Sequence, residues 1–120
     1  MGLDMYARWI DHAPDKPVDF TAGEYGELHY WRKHPNLHGW MEALYREKGG
    51  TQEFNCVNVQ LTADDLDRLE AAIRGRKLPP TCGFFFGESN GKEIYDDLAF
   101  VAKAREAIAD GLTVYYTSWW

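Results

Sequence analysis

At 120 residues, 45% of them hydrophobic, the chain is about one domain's worth of sequence and long enough to bury a core. Five Trp, seven Tyr and six Phe exclude a disordered chain, and the charges are interspersed rather than blocked. A formal net charge of −6 with a pI near 5.1 disfavours direct nucleic-acid binding, since phosphate affinity rests on Lys and Arg, and leaves open docking on a basic protein surface.

Met1 to Tyr6 is neither a basic segment leading into an apolar run nor a bilayer-crossing stretch, so it reads as mature structure, with no membrane association expected. Gly2 does not complete a myristoylation motif, because the sixth position is Tyr6. Cys56 and Cys82, without an export signal, read as reduced thiols in cytoplasm.

Leu3, Met5, Ala7 and Trp9 alternate with Asp4, Tyr6 and Arg8, the period of a strand with one buried face. From Asp11 to Gly26 the pattern dissolves into prolines, glycines and charges, a long surface loop. Glu27 to Lys33 reads as a turn or a short strand. His34-Pro35 then opens a helix with Leu37, Trp40, Met41 and Leu44 inward, stopped at Gly49-Gly50. Phe54 to Leu61 predicts a second strand. Thr62 caps the next helix, with Asp65 in the capping-box position and Leu66, Leu69 and Ile73 buried.

After Pro79-Pro80, Gly83 to Gly87 predicts a brief buried strand and Glu88 to Lys92 a polar turn. A third helix runs from about Ile94 to Asp110 with Leu98, Val101 and Ile108 inward, and Leu112 to Trp119 is the last strand. This order, with no internal repeat, predicts a single α+β domain over residues 1–120. Its mixed or antiparallel sheet has about four strands packed with three helices, mostly on one face.

Several segments together resemble a family. They are Met1-Gly2-Leu3-Asp4-Met5-Tyr6, Glu27-Leu28, Tyr30-Trp31-Arg32-Lys33, Leu37-His38, Trp40, Gly83 to Gly87 and Tyr95-Asp96-Asp97-Leu98. The chain resembles small, functionally uncharacterised proteins of bacteriophages and prophages. That resemblance implies action in the host cytoplasm and no established chemistry. Some relatives carry the label phosphoglycerate kinase, but this chain is far too short for that two-domain enzyme and has no Gly-rich phosphate cradle leading into Lys-Ser or Lys-Thr.

Tyr30-Trp31-Arg32-Lys33-His34 is the best candidate binding surface, because rings beside cationic groups at a helix start suit stacking and anion contacts; core packing of Tyr30 and Trp31 is the competing account. His34 and His38 have a one-turn spacing that suits a shared metal, yet no close Cys pair supports a site, and His38 at the flank of the apolar face reads as locally hydrogen-bonded. Cys56 and Cys82 read as buried small hydrophobes. Asp4, Glu27, Asp96 and Asp97 could pair as acid and base, but Asp96 and Asp97 at a helix start read more simply as caps and solvated surface. Trp119 and Trp120, after Tyr115 and Tyr116, exceed what one strand face buries, so a homodimer or host-protein contact competes with packing on strand one.

The leading expectation is therefore a non-enzymatic phage or prophage accessory protein that binds a host macromolecule. The alternative is a small-ligand or nucleotide-binding protein, or a small hydrolase, using Trp31, Arg32, His34 and His38 with Asp97. No catalytic set, metal or cofactor is expected from the sequence.

Overall fold

The computed structural model describes residues 2–81, 89 and 93–120. In chain order the elements are β1 (Asp4–Ile10), β2 (Gly26–Arg32), α1 (Pro35–Glu47), β3 (Val59–Leu61), α2 (Ala63–Arg74), α3 (Ile94–Ala109) and β4 (Thr113–Trp119). The strands form one antiparallel sheet in the order β2-β1-β4-β3. The expected α+β class, with four strands and three helices, is the class observed. The Gly83–Gly87 strand and the turn around Glu88 lie outside the described residues, Ser89 apart.

All three helices cover one face of the sheet. Met5 and Ala7 of β1, Trp31 of β2, Val114 and Tyr116 of β4 and Val59 and Leu61 of β3 meet Leu37, Met41 and Leu44 of α1, Leu66, Leu69 and Ile73 of α2, and Phe100, Val101 and Ala104 of α3 in a single core. Burying each such large side chain is worth roughly 1.5–3 kcal/mol. Trp9, expected on the same face, is only half-buried and lies against Gly26, its partner on β2.

β2 is a full seven-residue strand rather than a turn. A register shift sets Ala7 opposite His29 but Arg8 opposite Glu27, which leaves Leu28 as the extra residue of a bulge. Leu28 packs on the core, and the neighbouring His29 ring lies tilted against those of Trp31 and Phe100.

The stretch from 11 to 25 contains no regular element but is far from loose. Val18 bridges to Val59, Asp19 N–H donates to the Asn58 carbonyl, and Gln60 N–H donates to the Pro17 carbonyl, so the segment lines the outer edge of β3. Its Phe20 then packs on Ile10 and Tyr115 on the sheet's other face, covering one half of that face.

The second predicted strand is shorter than its apolar pattern implied. Only Val59–Leu61 is strand; Cys56 takes a positive φ of 61° and breaks the run before it. Cys56 is also exposed, which overturns its reading as a buried hydrophobe. α2 starts as expected: Thr62 Oγ1 accepts from Asp65 N–H while the Asp65 carboxylate accepts from Thr62 N–H.

Candidate functional site

Six of the eight candidate side chains divide between two groups, a split that follows the alternation of β2, while His38 and Trp120 lie apart from both. Trp31 faces the helices, whereas its neighbours Tyr30 and Arg32 face the opposite way.

Beneath the helices, Trp31, His34 and Asp97 converge. The Trp31 indole N–H donates to Asp97 Oδ1 at 3.0 Å, and His34 Nε2 lies 2.8 Å from Asp97 Oδ2. On the far side of the imidazole, His34 Nδ1 lies 2.6 Å from Ser89 Oγ, which in turn accepts the Asn36 backbone N–H at 3.1 Å. One proton assignment satisfies the whole chain: Ser89 O–H donates to Nδ1, and Nε2–H donates to the carboxylate. His34 is 4% exposed and Asp97 1%.

Local sequence explains these positions. Pro35 suits the first turn of α1, and the preceding His34 leaves that helix without a side-chain cap of its own, a role Ser89 fills from a distance. Asp97 sits in the first turn of α3, where the helix dipole favours a carboxylate. The expectation that Asp97 is solvated surface is thereby corrected: its carboxylate is buried between Trp31 of β2 and His34 at the start of α1, each bonded to one oxygen. Asp96 alone points outward, 3.0 Å from His29 Nε2, while the Lys103 ammonium sits 3.0 Å from His29 Nδ1. A half-open cleft of about 170 Å³ borders Ser89, His34 and Asp97, walled by Ile73, Leu78 and Ile94, with Arg76 and Glu93 also on its lining.

His38 turns away from this group. Its Nδ1 is 2.6 Å from Tyr116 Oη, and its ring packs on those of Phe54 and Tyr116. Burial lowers the His38 pKa to about 4 and holds that of Tyr116 well above 10, so a neutral imidazole and a neutral phenol share this hydrogen bond. His38 is therefore a core residue, not a flanking one, and it does not share a ligand with His34. Among the described residues, no three of His, Cys, Asp and Glu come together as metal ligands.

The second group lies on the uncovered half of the sheet. Arg32, Asp4 and Trp119 stand opposite one another across β2, β1 and β4, with Tyr30, Tyr6 and Thr117 in the next row. Asp4 Oδ1 accepts the Tyr30 O–H at 2.6 Å and lies 3.4 Å from Arg32 Nε. That hydrogen bond pushes the Tyr30 pKa up to about 12. The Tyr6 and Tyr30 rings are 5.4 Å apart, and the Arg8 guanidinium lies 4.7 Å from the Tyr6 ring centroid and 4.1 Å from that of Tyr25. Trp119 is 66% exposed and Tyr30 46%.

The two terminal tryptophans differ. Trp120 is pinned to the 54–55 segment: its indole donates to the Phe54 carbonyl, and its backbone exchanges hydrogen bonds with the Asn55 side chain. Trp119 projects from the sheet. Tyr115 and Tyr116 are both buried, on opposite faces.

Ser89 and Asn36 escaped the sequence reading. A lone serine carries no mark of its own in sequence, and only the fold brings it to the start of α1. No described helix is long and apolar enough to cross a membrane. Comparison with protein-family models, with curated proteins and with solved structures finds no match to this chain.

Proposed function

We propose that this chain is a protein-binding module whose contact surface is the bare half of the sheet, formed by Tyr6, Tyr30, Arg32, Asp4 and Trp119. The observation that carries the reading is the exposure of Tyr30 and Arg32 on β2 and of Trp119 on β4, flanking Asp4 and Tyr6 of β1 on one face of the antiparallel sheet. Tyr, Trp and Arg are the residue types that dominate binding energy at protein interfaces, since each combines large apolar area with a polar handle. A protein is the partner favoured over nucleic acid, because the chain's net charge is −6 and Asp4 stands within the patch. The resemblance to bacteriophage and prophage proteins supports a host protein in the cytoplasm as that partner.

The test compares the native chain with Tyr30→Ala/Trp119→Ala as bait in host lysate. Neither side chain is buried, so the variant keeps its fold and melting temperature. A stoichiometric partner retained by the native chain and lost by the variant supports the reading. Equal retention by both baits, or sedimentation showing that the patch is occupied by a second copy of the chain, sinks it.

A further inference from the structure

We infer that Ser89, His34 and Asp97 form a nucleophilic relay that hydrolyses small carboxylic esters in the cleft between α2 and the start of α3. This site is separate from the bare sheet face and does not depend on the reading given to that face. Hydroxyl, imidazole and carboxylate stand in line at 2.6 and 2.8 Å, the distances and order that let a base take a serine proton while a buried anion steadies the resulting imidazolium. Here Nδ1 faces the serine and Nε2 the carboxylate, so the tautomer that serves is the one with its proton on Nε2, which the carboxylate selects. A purely structural polar network could have been sealed under the helices. Instead, Ser89 borders an open cleft.

The chemistry closes without any added reagent but water. Ser89 Oγ bonds to the ester carbonyl carbon as its proton passes to His34 Nδ1, and the carbonyl π electrons move onto oxygen. Asn36 N–H, which donates to Oγ at 3.1 Å in the resting protein, is released as Oγ bonds to carbon and turns to the oxyanion at the positive end of α1. Collapse of the tetrahedral species breaks the bond to the alcohol oxygen, which leaves with the proton from Nδ1. Water then adds to the acyl-serine with His34 again as base, releasing the carboxylic acid and restoring Ser89.

Asp97 is a positioning residue. Trp31 holds its second oxygen, so the carboxylate keeps its plane and fixes the imidazole tautomer. Ile73, Leu78 and Ile94 make the wall apolar, which suits a short aliphatic acyl group.

The experiment treats the full chain with a fluorophosphonate and maps the adduct by mass spectrometry, alongside hydrolysis of p-nitrophenyl butyrate. The relay predicts one adduct per chain, on Ser89, with ester hydrolysis lost in step with labelling. His34→Gln, which keeps a polar amide in place of the ring, slows labelling roughly a hundredfold or more. Asp97→Asn shifts the pH dependence of labelling, an effect a structural role would not produce. No adduct on Ser89 under conditions that label a known serine esterase, or a labelling rate unchanged in His34→Gln, overturns the assignment. Because the adduct is mapped on the unaltered protein, its presence or absence on Ser89 is decisive whether or not a variant folds.

Discussion

Trp31 on β2 and Asp97 in the first turn of α3 are joined by a buried indole-to-carboxylate hydrogen bond of 3.0 Å. The bond fastens an edge strand to the helical layer and leaves neither polar group bare. Trp31→Phe keeps most of the apolar bulk but strands Asp97 Oδ1 without its donor. Loss of a partner to a buried charged acceptor costs about 1–3 kcal/mol. Urea denaturation should register that loss, whereas Tyr95→Phe on the exposed side of α3 should stay within about 0.5 kcal/mol of the native chain.

His38 makes stability fall in acid. Burial lowers its folded pKa from 6.5 to about 4, so the unfolded chain binds the proton more readily. The contribution is fully present above pH 6.5 and is lost as the pH drops toward 4, a change of about 3 kcal/mol at 1.36 kcal/mol per unit. His38→Gln should flatten this part of the stability–pH curve, read by denaturant midpoints at pH 4, 5, 6 and 7. An unchanged slope would show that another group titrates there.

Tyr30 should titrate late. Its hydrogen bond to Asp4 pushes its pKa up to about 12, and Asp4→Asn should bring it back toward 10. The native-minus-variant difference at the phenolate absorbance band reports chiefly Tyr30, with a smaller part from Tyr6, which also feels the Asp4 charge. The hydroxyl is exposed, so folding stability should hardly move.

Gly26 permits a close approach. A Cβ built there would lie 2.1 Å from Trp9 Cε2, with ring atoms on either side equally near. Gly26→Ala must displace the indole, and such overpacking costs about 1–3 kcal/mol. The near-ultraviolet circular dichroism of the tryptophans should change along with the midpoint.

The helices and the two central strands, β1 and β4, were legible because each carries its own period and punctuation. Pro35 and Gly49 bracket α1, and Thr62 with Asp65 starts α2, all within a few residues of sequence. The extent of β3 was not, because Val57 and Val59 alternate correctly while Cys56 just before them adopts a left-handed backbone that pattern cannot reveal. At the sites, Trp31, His34 and Asp97 were singled out by type, yet their meeting depends on bringing residues 31 and 97 together. The same limit hid Ser89, and it sent His38 into the core beside Tyr116, which lies 78 residues further along. Side-chain direction on β2 was written in the alternation itself, and it alone separates Tyr30 and Arg32 from Trp31.

The sheet order β2-β1-β4-β3 places the first strand against the last, with Asp4 opposite Trp119 and Ile10 opposite Thr113. During vectorial synthesis β1 can zip with β2 early, but its other edge must wait unpaired until residue 119 has left the ribosome. The nascent chain thus carries an open, half-apolar strand edge for most of its translation, a natural target for holding chaperones and for mispairing between neighbouring polysomal chains. Loop-closure entropy over so long a span also makes this seam the slow step of refolding, so ring closure by circular permutation, which would join β4 directly to β1, should speed folding more than it alters stability.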